Sequence, residues 1–513
     1  MADGRRRRQN GVPAARVLGA HADRERTLER LESETFDLLV IGGGVIGARI
    51  ALEATMNGAR VAMVDAGDFG GATSSASSKL IHGGLRYLQM YDFNLVREAH
   101  AERRALLDRL APHLVTPLTF VLPVYKGGPH GAPAIAAGML AYAAMSGFRH
   151  SRAGMLSPKG ARKLVPLIKT DGMVAAGVYE DAQTHDSRLV LATVTAAARA
   201  GAAVLNYTKI TGLDLARGGI VAAHAGDMRI RCRSVINAAG PWVDAIRLME
   251  DPRARPMARL SKGAHIVLEP PRDLPWQAAV TTPLEGGRVS FAVPWEGMLL
   301  LGTTDTDYEG DPAAVRAEPE DIDEILSEAS RSLPAEVLAR DRIRYTFAGL
   351  RVLARSGTST AKTPREEVIR VGPAGMVSVA GGKLTTHRQI ALKVLQQLEP
   401  FRRARLTSSP LPGAGRLPPR PADVPPDVWK HLTHLYGDEA PLVLHTGRLE
   451  RIHPEGTDVW GQVIHAVEQE WAITVDDVVR RRTTLEIRGQ ATPEAREAIG
   501  QMMASISKMQ VAG

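Results

Sequence analysis

Between residues 36 and 64 the hydrophobic pattern changes period twice. An apolar run over 36–41 is short and nearly continuous, the pattern of a strand buried on both faces. Small and apolar residues at helical spacing follow over 46–57, and a second apolar run over 60–64 completes a βαβ unit. Charged residues over 24–34 predict a preceding helix. Farther along, the pattern predicts an amphipathic helix over 93–110 that ends before Pro112, a strand over 119–125, and a helix over 184–200 with Thr184 or Asp186 near its start. Strands follow over 202–205, 220–224 and 229–236. From about 255 to 350 the chain reads mainly as strands, over 265–268, 289–293, 298–302 and 345–350, with one helix over 320–332. A strand over 377–380 runs into a glycine turn and a helix over 388–398. Seven prolines between 410 and 426 predict a stiff linker. Beyond it the pattern is helical, clearest over 460–470 and 474–482.

Composition narrows the class. The chain has 513 residues, 44% of them hydrophobic, enough for two or three domains with their own cores. A single cysteine, Cys232, rules out an intramolecular disulfide and suits a reducing compartment; placed in a predicted strand, it reads as a buried, inert thiol. The net charge of +8 favours anionic partners. Arg5 to Arg8 are followed by no apolar segment, so a solvated tail is predicted and not an export signal. No apolar run reaches the roughly 18 residues of a spanning helix. Residues 132–148, rich in Ala, Met and Gly, read as a buried or interfacial helix, which leaves peripheral membrane attachment open. There is no C-x-x-C and no H-E-x-x-H, so no metal site is predicted. No interleaving of aromatic and basic residues points to nucleic acid.

The chemistry begins at Gly42-Gly43-Gly44-Val45-Ile46-Gly47, which follows the first strand and opens the helix. Gly42 makes the turn, Gly44 lets a pyrophosphate approach the backbone, and Gly47 permits tight helix–strand contact. The helix N-terminus offers N–H donors to the phosphates. Asp65 ends the second strand 18 residues after Gly47, where a carboxylate binds a ribose 2′-OH and disfavours NADP. Two later strand-to-glycine elements, 237–240 and 381–383, suit a long cofactor whose ring needs its own backbone contacts, so FAD is favoured over NAD.

These motifs, together with Thr73 to Leu88 (TSSASSKLIHGGLRYL), Asn237 to Val243 (NAAGPWV), Ser261 to Val267 (SKGAHIV), Leu301 to Asp305 (LGTTD) and Gly381 to Thr386 (GGKLTT), resemble the FAD-dependent, membrane-associated glycerol-3-phosphate dehydrogenase family. The resemblance spans about 36–400 in family order, and Asp476 to Thr483 (DDVVRRRT) resembles a segment of that family's C-terminal helical domain. It implies an α/β plus α fold: a doubly wound, Rossmann-like FAD-binding domain (about 36–110, 185–250 and 350–405) and an inserted antiparallel β substrate domain (about 111–184 and 251–349). A linker over 406–426 and a helical domain over 427–513 complete it, after a basic tail and helix over 1–35. The implied reaction is oxidation of sn-glycerol 3-phosphate to dihydroxyacetone phosphate, with hydride passing to flavin N5 and electrons to a quinone. The implied place is cytoplasmic, peripheral on the inner face of the membrane, and a homodimer is compatible with it. A glycerol-3-phosphate oxidase using oxygen and a non-catalytic flavin-binding regulatory protein are the alternatives.

By the same resemblance, Arg86, Tyr87 and Arg365 line the substrate site, where planar guanidinium forks suit phosphate oxygens. His265 is the expected proton acceptor, and Arg351 and Lys383 are expected to stabilise the developing alkoxide or the flavin's own charge. Cofactor contacts are expected from Gly42, Gly44, Gly47, Asp65, Ser74, Ser75, Ser78, Lys79, His82, Gly83, Ala239, Gly240, Gly382, Lys383, Leu384 and Thr385. Three positions depart from the family pattern: Ile46 stands where Asn is common, Val352 where Pro is usual, and His387 where Tyr is common; the segment from Tyr179 to Arg188, which contains His185, has also drifted from it.

Overall fold

The computed structural model describes residues 20–84, 93–145, 153–271, 276–285, 288–355 and 367–512. Three sheets organise the chain. The first has six strands in the order Val368–Val371, Val377–Ala380, Val235–Asn237, Leu38–Ile41, Val61–Val64 and Ala203–Leu205. All are parallel except the first, which pairs antiparallel with its neighbour. Alternate side chains feed two cores. Leu38, Val40, Val61 and Met63 face helices Val45–Met56, Asp186–Arg199 and His387–Leu395. Leu39, Ile41, Ala62 and Val64 face Leu31 of the first helix and a four-stranded sheet that includes Ile220 and Ile230. Burial on both faces explains why these strands read as continuous apolar runs.

Two predicted strands are each divided between sheets. The run over 36–41 breaks at Asp37, with Thr35–Phe36 in the four-stranded sheet and Leu38–Ile41 in the six-stranded one. The run over 229–236 breaks in the same way into Met228–Cys232 and Val235–Asn237. Arg233 N–H donates to Phe36 O at 3.0 Å and Leu39 N–H to Ser234 O at 2.9 Å, so the two chains cross between sheets side by side.

The third sheet is mainly antiparallel and has ten strands. Its longest pairs are Val115–Tyr125 with Met173–Thr184, and Ala258–Leu268 with Ile343–Ala354. The strand Met173–Thr184 was not expected. Its stretch Ala175-Ala176-Gly177 carries too little apolar contrast to register as alternation. The predicted helix over 184–200 accordingly starts at Asp186, after the strand ends at Thr184. The helix over 93–110 is α-helical over Phe93–Ala105 and finishes as a wider π turn over Leu106–Leu110. Helices Pro426–Tyr436, Trp460–Gln469 and Pro493–Ala512 form the C-terminal part. The proline-rich stretch before them runs against the body: Leu411 is buried and its N–H donates to Leu110 O at 2.8 Å. The fold is thus a doubly wound, Rossmann-like α/β domain with an inserted β domain and a C-terminal helical domain. Among the described residues no helix is long and apolar enough to cross a membrane.

Candidate active site

A cavity of about 1070 Å³ runs from the carboxyl ends of the six-stranded sheet to the face of the ten-stranded sheet. Such crevices are where doubly wound sheets bind nucleotides. At one end the first glycine turn is sterically committed. Gly42 has φ +107°, and a Cβ there would lie 2.5 Å from Ala238 O; a Cβ on Gly47 would lie 1.8 Å from Gly42 O. Gly47 therefore serves helix–strand contact and does not line the cavity, whereas Gly42 and Gly44 do. Ser74 Oγ accepts the Val45 N–H at 3.0 Å, capping the helix start from the neighbouring loop. Asp65 accepts from Gly43 N–H at 2.6 Å and Gly67 N–H at 2.8 Å. Burial outweighs these two donors and lifts its carboxyl to about 6.

The loop from Thr73 to Gly84 connects this end to the other, and most of its residues are fastened. Thr73 Oγ1 donates to Leu350 O at 2.7 Å, and Ser77 Oγ to Asp186 Oδ2 at 2.7 Å. Ser78 Oγ lies 2.9 Å from His265 Nε2. His82 N–H donates to Thr385 Oγ1 at 3.2 Å, and Gly83 N–H to Asp181 Oδ1 at 2.9 Å. Lys79 departs from its expected cofactor contact. Its ammonium turns away from the cavity to Asp186 Oδ1 at 2.7 Å, with the Trp295 ring centroid 5.2 Å away. It takes the left-handed φ of 58°, a conformation the ion pair helps to hold. Ser75 and Gly83 likewise stay off the cavity wall; the Ser75 carbonyl accepts from Lys79 Nζ at 3.2 Å, and Gly83 is taken up by Asp181.

At the far end His265, Arg351 and Lys383 share the wall with His82, Leu384 and Thr385; Ala239, Gly240 and Gly382 line the cavity too, with Ala239 beside the first glycine turn. His265 sits opposite Phe347 in the strand register and stacks on its ring at 4.8 Å and 11°. Burial, then the charges of Arg351 and Lys79, push this imidazole down to about 3, so it is neutral at pH 7. Its Nδ1 has no hydrogen-bond partner among the described residues. Arg351 lies across Gly263, where a Cβ would come within 2.5 Å of its guanidinium, and donates to Thr303 Oγ1 at 2.8 Å and Thr304 O at 3.0 Å. Asp305, which accepts from Ser261 Oγ, stands 3.5 Å from Arg351. Arg86, Tyr87 and Arg365 lie outside the described residues.

Of the three departures, Ile46 packs its Cδ1 toward Gly382, which holds φ +90°. His387 donates from Nδ1 to Leu384 O at 2.7 Å and so braces the glycine turn itself. Val352 lines the cavity within an unbroken strand. Sequence reasoning gave no role to Arg288, Asp305 or Arg481, all on the cavity wall. Asp305 and Arg481 lay inside recognised motifs and could have been found there. Arg288 follows two glycines in the sequence, just before the strand Val289–Trp295, and carries no sequence signal.

A family model described as FAD dependent oxidoreductase matches residues 37–388, and one described as the C-terminal domain of alpha-glycerophosphate oxidase matches 377–510. A glycerol-3-phosphate dehydrogenase from Synechocystis sp. is 34% identical, the match covering 90% of each chain. The chain belongs to the FAD-dependent glycerol-3-phosphate dehydrogenase family. An aerobic glycerol-3-phosphate dehydrogenase from Staphylococcus haemolyticus is 36% identical over 73% of this chain and 69% of its own. The crystal structure of the glycerol-3-phosphate dehydrogenase from Bacillus halodurans complexed with FAD superposes with a TM-score of 0.74 at 28% identity, covering 94% of this chain and 93% of that one. FAD is the family's cofactor, and the site fits it: the tight glycine turn on the cavity wall, the helix start behind it, and the half-buried Asp65 carboxylate together suit a dinucleotide.

Proposed function

We propose that this protein oxidises sn-glycerol 3-phosphate to dihydroxyacetone phosphate and passes the electrons to a quinone while attached to the cytoplasmic face of the membrane. The observation that carries this reading is one continuous cavity with a dinucleotide cradle at one end. At the other end stand a neutral buried imidazole, His265, and the cations Arg288, Arg351 and Lys383. That far end suits a small anionic alcohol, and the family relatives are named for one.

The bound flavin supplies the acceptor for the hydride leaving the substrate's secondary carbon. His265 takes the hydroxyl proton, its lone pair being available at neutral pH because burial keeps it unprotonated. Arg351 is held by Thr303 and Thr304, so its positive charge is preorganised beside the developing oxyanion. Lys383, on the glycine turn, supplies a second positive charge at the reacting end. Ser78 orients the imidazole through Nε2. Arg86, Tyr87 and Arg365 hold the phosphate in this reading.

Replacing Arg365 by Ala is expected to raise KM by about 10-fold or more, the loss of a charge-assisted hydrogen bond, with a smaller effect on kcat. An unchanged KM removes Arg365 from the phosphate site. The acceptor is tested by following turnover with a soluble quinone analogue and with oxygen alone. Quinone reduction without peroxide is expected; stoichiometric peroxide and indifference to the quinone identify an oxidase instead.

A further inference from the structure

Away from the cavity, three imidazoles surround one carboxylate. Glu296 sits at the tip of the hairpin joining Val289–Trp295 to Met298–Gly302. Its Oε1 lies 2.8 Å from His185 Nε2 and 3.4 Å from His434 Nε2. Its Oε2 is 3.9 Å from His431 Nδ1. Among the described residues its ion-pair partners are these imidazoles, with no lysine or arginine. The candidate ligand atoms of His185, Glu296 and His434 all lie within 4.8 Å of one another.

We propose that His185, Glu296 and His434 form a binding site for one zinc-like divalent cation that staples the protein's three structural units together. His185 stands at the start of helix Asp186–Arg199 on the six-stranded sheet, Glu296 belongs to the ten-stranded sheet, and His434 lies in the C-terminal helix Pro426–Tyr436. Two imidazole nitrogens and one carboxylate oxygen are a zinc donor set. Ligand atoms around a tetrahedral zinc ion lie roughly 3.3 Å apart, so the site closes by a modest rotation of His434, the most exposed of the three.

The surroundings are those of a held site. The His185 ring packs on Trp295 at 4.4 Å. His431 donates from Nε2 to Asp458 at 2.8 Å, and Asp458 also accepts from Thr484 Oγ1 at 2.7 Å and Gln462 Nε2 at 3.2 Å. With Nε2–H committed to Asp458, the Nδ1 lone pair of His431 faces the cluster 3.9 Å from Glu296 Oε2, where it can serve as a fourth ligand. Side-chain exposure rises from 5% at His185 through 16% at Glu296 to 28% at His434, which opens the cluster to solvent on one side for metal entry or a water ligand. Motif spacing could not reveal the site, because its ligands come from three distant segments.

The test uses the full-length, flavin-loaded protein, stripped with a chelator and then equilibrated with micromolar Zn²⁺. Metal content and thermal midpoint are measured for wild type, His434→Ala and Glu296→Gln, with His434→Gln as a milder change should either variant misfold. About one zinc per chain and a midpoint raised by several degrees are expected in wild type, with both lost in the variants. Cobalt in place of zinc should give visible ligand-field bands that His434→Ala removes. Folded, yellow wild type that takes up no stoichiometric zinc overturns the proposal, as does equal uptake by wild type and variants.

Discussion

Burial lifts the carboxyl of Asp65 to about 6, so in the protein without cofactor this group takes up a proton well above the usual carboxylate range. Its folded value is raised, so it contributes stability that is fully present below the unfolded value and lost as pH rises through about 6. Ribose hydroxyl donors favour the charged form and reverse that penalty. FAD affinity of the apoprotein is therefore expected to strengthen as pH rises to about 6 and then level off, approaching a tenfold change per pH unit on the acid side. Fluorescence titration at several pH values checks this, and Asp65→Asn should flatten the curve. His265 is shifted the other way, to about 3, by burial first and then by two nearby cations. The imidazole is neutral everywhere above that value, so kcat, which reports the bound complex and not the ionisation of the free substrate's phosphate, should carry no imidazole step near 6.5, while His265→Ala should lower kcat by about 10²–10⁴. A step near 6.5 that disappears in the variant would contradict the buried-imidazole account. Motif context singles out His265, Arg351 and Asp65, and the structure brings all three to the wall of one cavity. Lys79 was misjudged because its partner, Asp186, is 107 positions away.

The loop from Thr73 to Gly84 owes its shape to neighbouring elements more than to its own serines. Asp181, on the strand Met173–Thr184, accepts Gly83 N–H, pairs with Arg103 on the helix Phe93–Ala105, and accepts Tyr142 OH at 2.8 Å, all out of water. Removing the carboxylate takes the ion-pair partner from buried Arg103 and the acceptor from Gly83 N–H and Tyr142 OH. Asp181→Ala is expected to cost about 3–5 kcal/mol, and Tyr142→Phe, which spares the ion pair, about 1 kcal/mol. Thermal or urea unfolding checks the ordering, and equal costs would remove Asp181 from this central role. None of this network was visible from local sequence, because its strand is built on small residues. The longer helices were legible through their spacing, whereas the short Pro158–Leu164 and Val243–Glu250 were not. The strands crossing between sheets at Asp37 and at Arg233 were legible, the first as an apolar run and the second by alternation, but not where they change partners.

Across the whole molecule, the C-terminal domain reaches back to the dinucleotide end. Arg481 and Arg482 both pair with Asp68, three residues after Asp65, and Arg482 NH2 meets Asp68 Oδ1 at 2.8 Å. Asn206 joins the same carboxylate to Trp471 O at 2.7 Å. Asp68 and Arg482 are 414 positions apart, so sequence revealed the motif but not its partner. Arg482→Leu and Asp68→Asn should each destabilise the protein by about 3–5 kcal/mol and weaken FAD retention. The double variant should be little worse than either alone; additive losses would mean that the two residues act separately. In the whole molecule, one cavity couples a flavin to oxidation of a small phosphorylated alcohol. Anaerobic mixing of the purified yellow protein with sn-glycerol 3-phosphate tests it most directly. Rapid bleaching of the flavin band by that compound, and not by glycerol or a 2-hydroxy acid, is the predicted result; a band that stays oxidised with sn-glycerol 3-phosphate but bleaches with either of the others would contradict it.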